Sequence, residues 1–191
     1  LLNDKEFLYS KGIEMLVQIS RMLASRGQWG QRTGKFGFFA VMGPDEFQMM
    51  VNNNCYTNIM GKKTFEYTLK VINEMKINAP GQLSGISEKL RLKSGELECW
   101  RQMAENMFIP FDNATGIYEQ HDGFFNLPHI DIHSIPVTDF PLYHSWSYDR
   151  IYRNDMIKQP DVLMFMFLYN QEFPLETKKI KKDGESPCFT G

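Results

Sequence analysis

Cysteine is scarce in this chain. Cys55, Cys99 and Cys188 are the only three in 191 residues, and no CxxC spacing joins them. An odd and unpatterned set reads as reduced thiols in a cytoplasmic protein. Long apolar runs are missing too. No stretch of about 18 uninterrupted apolar residues occurs, which argues against a membrane-spanning helix. Nor is there an excess of one charge. A net charge of −2, with acids and bases interspersed, leaves no basic field for nucleic acid or an anionic membrane. The opening Leu1-Leu2-Asn3-Asp4-Lys5-Glu6 has no basic region followed by an apolar block, so no signal peptide is expected. It also lacks an initiating Met, and the chain is expected to begin inside a longer protein. Neither short repeats nor low-complexity tracts appear.

What is present is apolar residues at helical spacing. Leu8, Ile13, Leu16, Val17, Ile19 and Leu23 predict an amphipathic helix from Asp4 to about Ser25, with Gly27 as its stop. Five glycines between Gly27 and Gly43 then break the rhythm, and the apolar run Phe38 to Met42 reads as extended chain. A second helix is expected from Asn52 to Lys76, capped by one of Asn52, Asn53 or Asn54, with Phe65, Leu69 and Ile72 on its stripe. Ala79-Pro80-Gly81 ends it, and Ser84 or Ser87 opens a further helical region through Met107, interrupted near Ser94-Gly95. Residues 108–148 are loop-rich, holding four of the nine prolines and all four histidines. A last strong helix is expected from about Gln159 to Tyr169. The pattern is all-α, with long loops converging on one face. Most of the twelve methionines and the 14% aromatic content are assigned to packing between helices, although aromatic faces also line sugar subsites.

The chemistry concentrates in the turn Gly43-Pro44-Asp45-Glu46-Phe47, followed by Asn52 to Asn58. Pro44 fixes its own φ and pushes Gly43 away from helical geometry, so two carboxylates leave an apolar segment on a rigid bend. A carboxyl group beside apolar surface has its charged form disfavoured, which raises its pKa and makes it a proton donor near neutral pH. A glycosidic oxygen needs such a donor. The other reading is a polar turn at the end of a buried strand.

The strings GPDEFQMMVNNNCYTN at 43–58, YEQHDGFFNLP at 118–128 and IKQPDVLMF at 157–165 resemble, in order and rough spacing, blocks of glycoside hydrolase family 65. That family includes inverting phosphorylases of maltose, kojibiose, nigerose and trehalose. The resemblance implies that residues 1–175 are a segment of an (α/α)6 catalytic barrel and that 176–191 are a polar, truncated tail. It implies Glu46 as the general acid. Lys158 and Gln159 match the family's Lys-Gln pair that contacts the bound glucose, whereas an exposed pair is the reading from the residues alone. Asp45 is expected as an orienting acceptor at the substrate. Glu119 and Asp122 fall in a loop placed at the active-site mouth, where they would shape the acceptor subsite or simply tie the loop. The implied partners are an α-linked disaccharide and inorganic phosphate as co-substrate, with no cofactor, no metal and a homodimeric full-length protein. The alternatives are an α-glucoside hydrolase on the same scaffold and a non-catalytic helical sugar-binding domain.

The departures from the family pattern are Pro160, where Ala is more usual, and Gln48-Met49-Met50 after the acidic pair, which bears on acceptor choice. The block that grips the donor glucose is absent. Glu185-Ser186-Pro187-Cys188 only faintly resembles the Ser-rich phosphate segment. Three further features are weaker. Asn113-Ala114-Thr115 fits a glycosylation acceptor but is read only as a loop. The basic run Lys178 to Lys182 is read as a solvated tail. His129, Asp131 and His133 would face one way on an extended strand, a geometry compatible with a divalent cation, but no fourth ligand is evident.

Overall fold

The structure is a computed structural model and describes residues 4–180. Glu185 to Cys188 and the rest of the basic run beyond Ile180 lie outside the described residues. The chain divides into two compact units. One comprises the chain up to Gly37 with Ile59–Phe108, and the other Phe38–Asn58 with Ile109 onward.

In the first unit, the Asp4 carboxylate accepts from Phe7 N at 2.9 Å and starts helix α1 (Lys5–Phe7). A π-helical turn, Leu8–Gly12, leads into α2 (Ile13–Arg26). Ile13 and Val17 are buried as the spacing predicts, and buried Ser20 shares a hydrogen bond of 3.0 Å with Thr68. At Gly27, a Cβ would stand 2.2 Å from the Phe36 ring. Only glycine lets the Phe36 ring pack so close to the backbone. A short hairpin follows, β1 (Gln28–Trp29) against β2 (Phe36–Gly37), which the sequence reading treats as irregular.

Helix α3 (Cys55–Asn78) gives its first turn to the second unit and the remainder to the first. Helix α4 (Pro80–Leu90) starts at Pro80 rather than at Ser84 or Ser87. Proline at the first helical position removes an N–H that has no partner there anyway, so Pro80 opens this helix as well as closing the one before. Helix α5 (Ser94–Glu105) completes the unit. Phe36, Phe65, Ile72, Met75 and Trp100 form its buried centre. The Arg21 guanidinium grips both Glu96 oxygens, at 2.7 and 3.1 Å, and the Leu90 carbonyl at 3.0 Å.

The second unit is mostly loop, with short elements. Strands β3 (Phe111–Asp112) and β4 (Ile117–Tyr118) form a hairpin around the Asn113-Ala114-Thr115 sequence. Asp112 holds that turn by accepting from the backbone of Ala114 and Thr115, both at 3.1 Å. Helices α6 (Leu142–Ser145) and α7 (Tyr148–Tyr152) are brief. Helix α8 (Asp161–Leu168) is the expected last strong helix, and it buries Val162, Phe165 and Met166. Helix α9 (Leu175–Ile180) places the start of the expected tail in a helix, and Lys178 Nζ donates to the Asn170 carbonyl at 2.6 Å. Phe47, Ile135, Leu142, Trp146, Ile151 and Met156 pack into one cluster beneath the acidic turn. Burying each such side chain is worth about 1.5–3 kcal/mol, so the turn rests on a firm base. Cys55 is buried and Cys99 exposed. Among the described residues, no helix is long and apolar enough to cross a membrane.

Candidate functional site

The acidic turn is a closed loop. Val41 and Val51 exchange backbone hydrogen bonds of 3.0 and 2.9 Å, and the segment between them carries Asp45 and Glu46. Its base is tight. A Cβ on Gly43 would lie 2.3 Å from Asp161 Oδ2 and 2.4 Å from Asn54 Nδ2. Asn54 performs two tasks. Its Oδ1 accepts from Thr57 N at 3.0 Å, which makes it the N-cap of α3, while its Nδ2 donates to Asp161 Oδ2 at 2.7 Å.

Asp45 is the hub of this arrangement. It is 1% exposed. Its Oδ1 accepts from three backbone N–H groups, Lys158 at 2.9 Å, Phe47 at 3.1 Å and Gln159 at 3.3 Å. Its Oδ2 accepts from Gln120 Nε2 at 3.1 Å, and the same amide donates to the Gln159 carbonyl at 3.1 Å. Burial pushes the Asp45 carboxyl above the ordinary carboxylate range, and the four donors hold it back. Asp45 therefore orients protein groups. The expected direct contact with substrate gives way to this role, because both oxygens are buried and occupied.

Glu46 points the other way. Its side chain is 58% exposed, and it lines a cavity of about 340 Å³ with Met42, Phe47, Met49, Tyr143, Tyr148 and Lys158. Its backbone N–H donates to Gln159 Oε1 at 3.1 Å, so Gln159 fixes the acid's position from below. Lys158 Nζ donates to Glu46 Oε2 in a short ion pair. That hydrogen bond, with the ammonium's charge, holds the Glu46 carboxyl below its usual range and raises the Lys158 pKa in turn. The expectation of a raised pKa at Glu46 is corrected here, since an adjacent cation outweighs the apolar wall. Lys158, Gln159, Asp45 and Glu46 are brought together, across more than a hundred positions of sequence.

Glu119 and Asp122 do not line the cavity. Glu119 Oε2 accepts from Phe125 N at 3.2 Å, and Asp122 Oδ2 from Asn53 Nδ2 at 3.4 Å. Glu119 ties its own loop, and Asp122 fastens that loop to the segment before α3. The histidine pair is also dispersed. His129 Nδ1 meets Asp155 Oδ2 at 2.9 Å, whereas Asp131 caps a 3-10 turn through His133 N at 2.9 Å. The segment is no extended strand. No group of three or more His, Cys, Asp and Glu among the described residues could hold a metal ion.

Sequence reasoning missed the roles of Gln120 and Asp161, and it linked Gln48 to acceptor choice where the structure makes it a fastener of the loop. Gln48 is buried, and its Nε2 donates to the Asn154 and Met156 carbonyls at 3.3 and 3.1 Å, which fastens the loop's far side. Asp161 is fully buried at the start of α8, and its Oδ1 has no partner. Burial, reinforced by nearby Asp45, raises its pKa to about 7. An acid directly after Pro160 at a helix start was the available signal. A folded pKa above the unfolded value means the folded state binds the extra proton. Stability from this group is then fully present below about pH 4 and lost as pH rises toward 7. Unfolding the wild type and Asp161→Asn across pH 4–7.5 checks this. The variant's stability relative to wild type is expected to rise with pH, by a few kcal/mol in all. A flat difference would show that Asp161 is not neutral in the fold.

Residues 1–184 match the family model described as glycosyl hydrolase family 65 central catalytic domain. The chain is 38% identical over 189 residues to the alpha,alpha-trehalose phosphorylase of Thermoanaerobacter brockii, covering 98% of this chain and 24% of that protein. It is 34% identical over 176 residues to the maltose phosphorylase of Bacillus subtilis, covering 92% and 22%. A solved structure of a candidate kojibiose phosphorylase from the human microbiome superposes with a TM-score of 0.82 at 48% identity, covering 91% of this chain and 24% of that one. The chain thus spans about a quarter of the length of these relatives.

Proposed function

Because the chain belongs to glycosyl hydrolase family 65, within its central catalytic domain, we propose that it carries the acid side of an inverting α-glucoside phosphorylase. In the proposed reaction, phosphate attacks the anomeric carbon as the bond from that carbon to the bridging oxygen breaks. Glu46 delivers its proton to that oxygen. The products are β-glucose 1-phosphate and the acceptor sugar. The observation that carries this reading is the placement of Glu46: the carboxyl group lies on a cavity wall while its backbone is clamped from behind by Gln159 and the buried Asp45 hub. Catalytic acids need a fixed position more than a deep one.

Asp45 is not the second carboxylate that a hydrolase on this scaffold would use. Inverting hydrolysis requires a second carboxylate to activate water, some 6.5–9.5 Å from the acid. Asp45, adjacent in sequence and saturated by four donors, is not such a base. Phosphate is already an anion and requires none. In this reading the full-length protein is a homodimeric (α/α)6-barrel enzyme of the cytoplasm. It acts on an α-linked disaccharide with phosphate as co-substrate, without another cofactor, and its phosphate ligands belong to the rest of that protein.

The test is to supply the full-length protein with maltose, kojibiose or trehalose, with and without phosphate. Product is expected only with phosphate, as the β-anomer of glucose 1-phosphate. Equal glucose release without phosphate would identify a hydrolase, and binding without any bond cleavage a sugar-binding domain.

A further inference from the structure

The ion pair on the cavity wall is at odds with the role of its carboxylate. A general acid must hold a proton, and the Lys158 ammonium beside Glu46 stabilises the form that lacks one. The same ammonium stands 5.0 Å from the centroid of the Tyr143 ring, within range of attraction to an aromatic face. Glu46, Lys158, Tyr143 and Tyr148 share one cavity. Lys158 therefore has two partners on that cavity's wall, one anionic and one aromatic.

Both backbones are anchored. Lys158 N donates to Asp45 and Glu46 N to Gln159, so separation of the pair is left to the side-chain tips. A four-carbon stem with a compact ammonium can make that movement. Glu46 faces Lys158, with the neutral amide of Gln159 beside it, and Lys158 also faces the phenols of Tyr143 on α6 and Tyr148 on α7.

We propose that Lys158 is a latch displaced by substrate: it pairs with Glu46 in the free protein and turns to Tyr143 and a sugar hydroxyl when the cavity fills. The proton-loaded form of Glu46 is thereby confined to the bound complex. The proton comes from solvent, one for each substrate bound, and it leaves on the bridging oxygen during turnover. Lys158 keeps its own proton throughout and acts through Glu46 as a positioning residue. This inference rests on the reading of Glu46 as the general acid.

Two measurements on the full-length protein test it. The first is proton uptake on binding the disaccharide without phosphate, from calorimetry in two buffers of different ionisation enthalpy. The second is the pH dependence of kcat/KM and of kcat, which report the free protein and the complex respectively. At a pH near the ordinary glutamate value of about 4.3, the wild type is expected to take up more of a proton per site than Lys158→Met, whose free carboxyl already holds part of one. In that variant the alkaline limb of kcat/KM moves to higher pH while that of kcat stays. Lys158→Arg, which keeps the cation, restores both. A Lys158→Met protein with unchanged uptake and an unmoved limb overturns the latch. If Glu46→Gln is then inactive, the latch alone is lost and the acid stands; if Glu46→Gln turns over normally, both are lost.

Discussion

On the proposed acid role, Glu46→Gln in the full-length protein is expected to lower kcat for phosphorolysis by about 10²–10⁴-fold, the range for removal of a positioned general acid. Glutamine keeps the shape of the side chain and one oxygen for Lys158, so the substitution deletes the transferable proton and little else. The side chain is more than half exposed, and its removal disturbs no buried contact. Stability is therefore expected to stay close to that of the wild type. A second substrate separates acid chemistry from binding. α-Glucosyl fluoride carries a leaving group that needs little protonation, so the variant is expected to retain much more activity toward it than toward a disaccharide. Steady-state kinetics on both substrates, with circular dichroism of the variant, make the check. Equal losses on the two would assign Glu46 to binding, and unchanged disaccharide turnover would remove it from the mechanism.

Local signals carried much of the fold, and distant partners carried what they missed. Ile13 and Val17 are buried on the predicted stripe because a 3.6-residue period needs only neighbours to be read. Asn54 caps α3 for the same reason, its acceptor lying three residues before the donor. The acidic turn was visible because glycine, proline and two acids in succession have few conformations available. Its electrostatics were not. Whether Glu46 has a raised or lowered pKa depends on Lys158, 112 positions away, and on which way each side chain leaves the loop. Gln120, 75 positions from Asp45, looks like one more polar residue in a polar loop until its amide is seen bridging two segments. The β1–β2 hairpin was hidden because each strand is two residues long, too short for alternation to register. Pro80 reads from the sequence as a stop, yet it opens α4, since a proline ends one helix and starts the next with the same chemistry.

Asp45→Ala is expected to destabilise the fold around the site. The carboxylate accepts from the N–H groups of Lys158, Phe47 and Gln159 and from the Gln120 amide, in a place where water does not reach. Removing it leaves three buried backbone N–H groups without an acceptor and the Gln120 amide with only the Gln159 carbonyl. Each such orphan costs about 1–3 kcal/mol, reduced by whatever water enters the space, so a loss of about 3–5 kcal/mol is expected. Asp45→Asn is expected to lie between. Its remaining oxygen can serve the three backbone groups on the Oδ1 side, but its new NH₂ faces the NH₂ of Gln120. Gln120 cannot flip to relieve this without giving up its hydrogen bond to the Gln159 carbonyl. Denaturant unfolding of the full-length proteins measures the order wild type, Asn, Ala. Hydrogen exchange of residues 43–51 and 157–161 shows whether the loss is local to the clamp. Because this hub sets the backbones of both Glu46 and Lys158, kcat is expected to fall in both variants even where the protein remains folded. An Asp45→Ala protein with unchanged exchange in these segments and full kcat would mean that the loop is held by the packing beneath it, and that the buried carboxylate is dispensable.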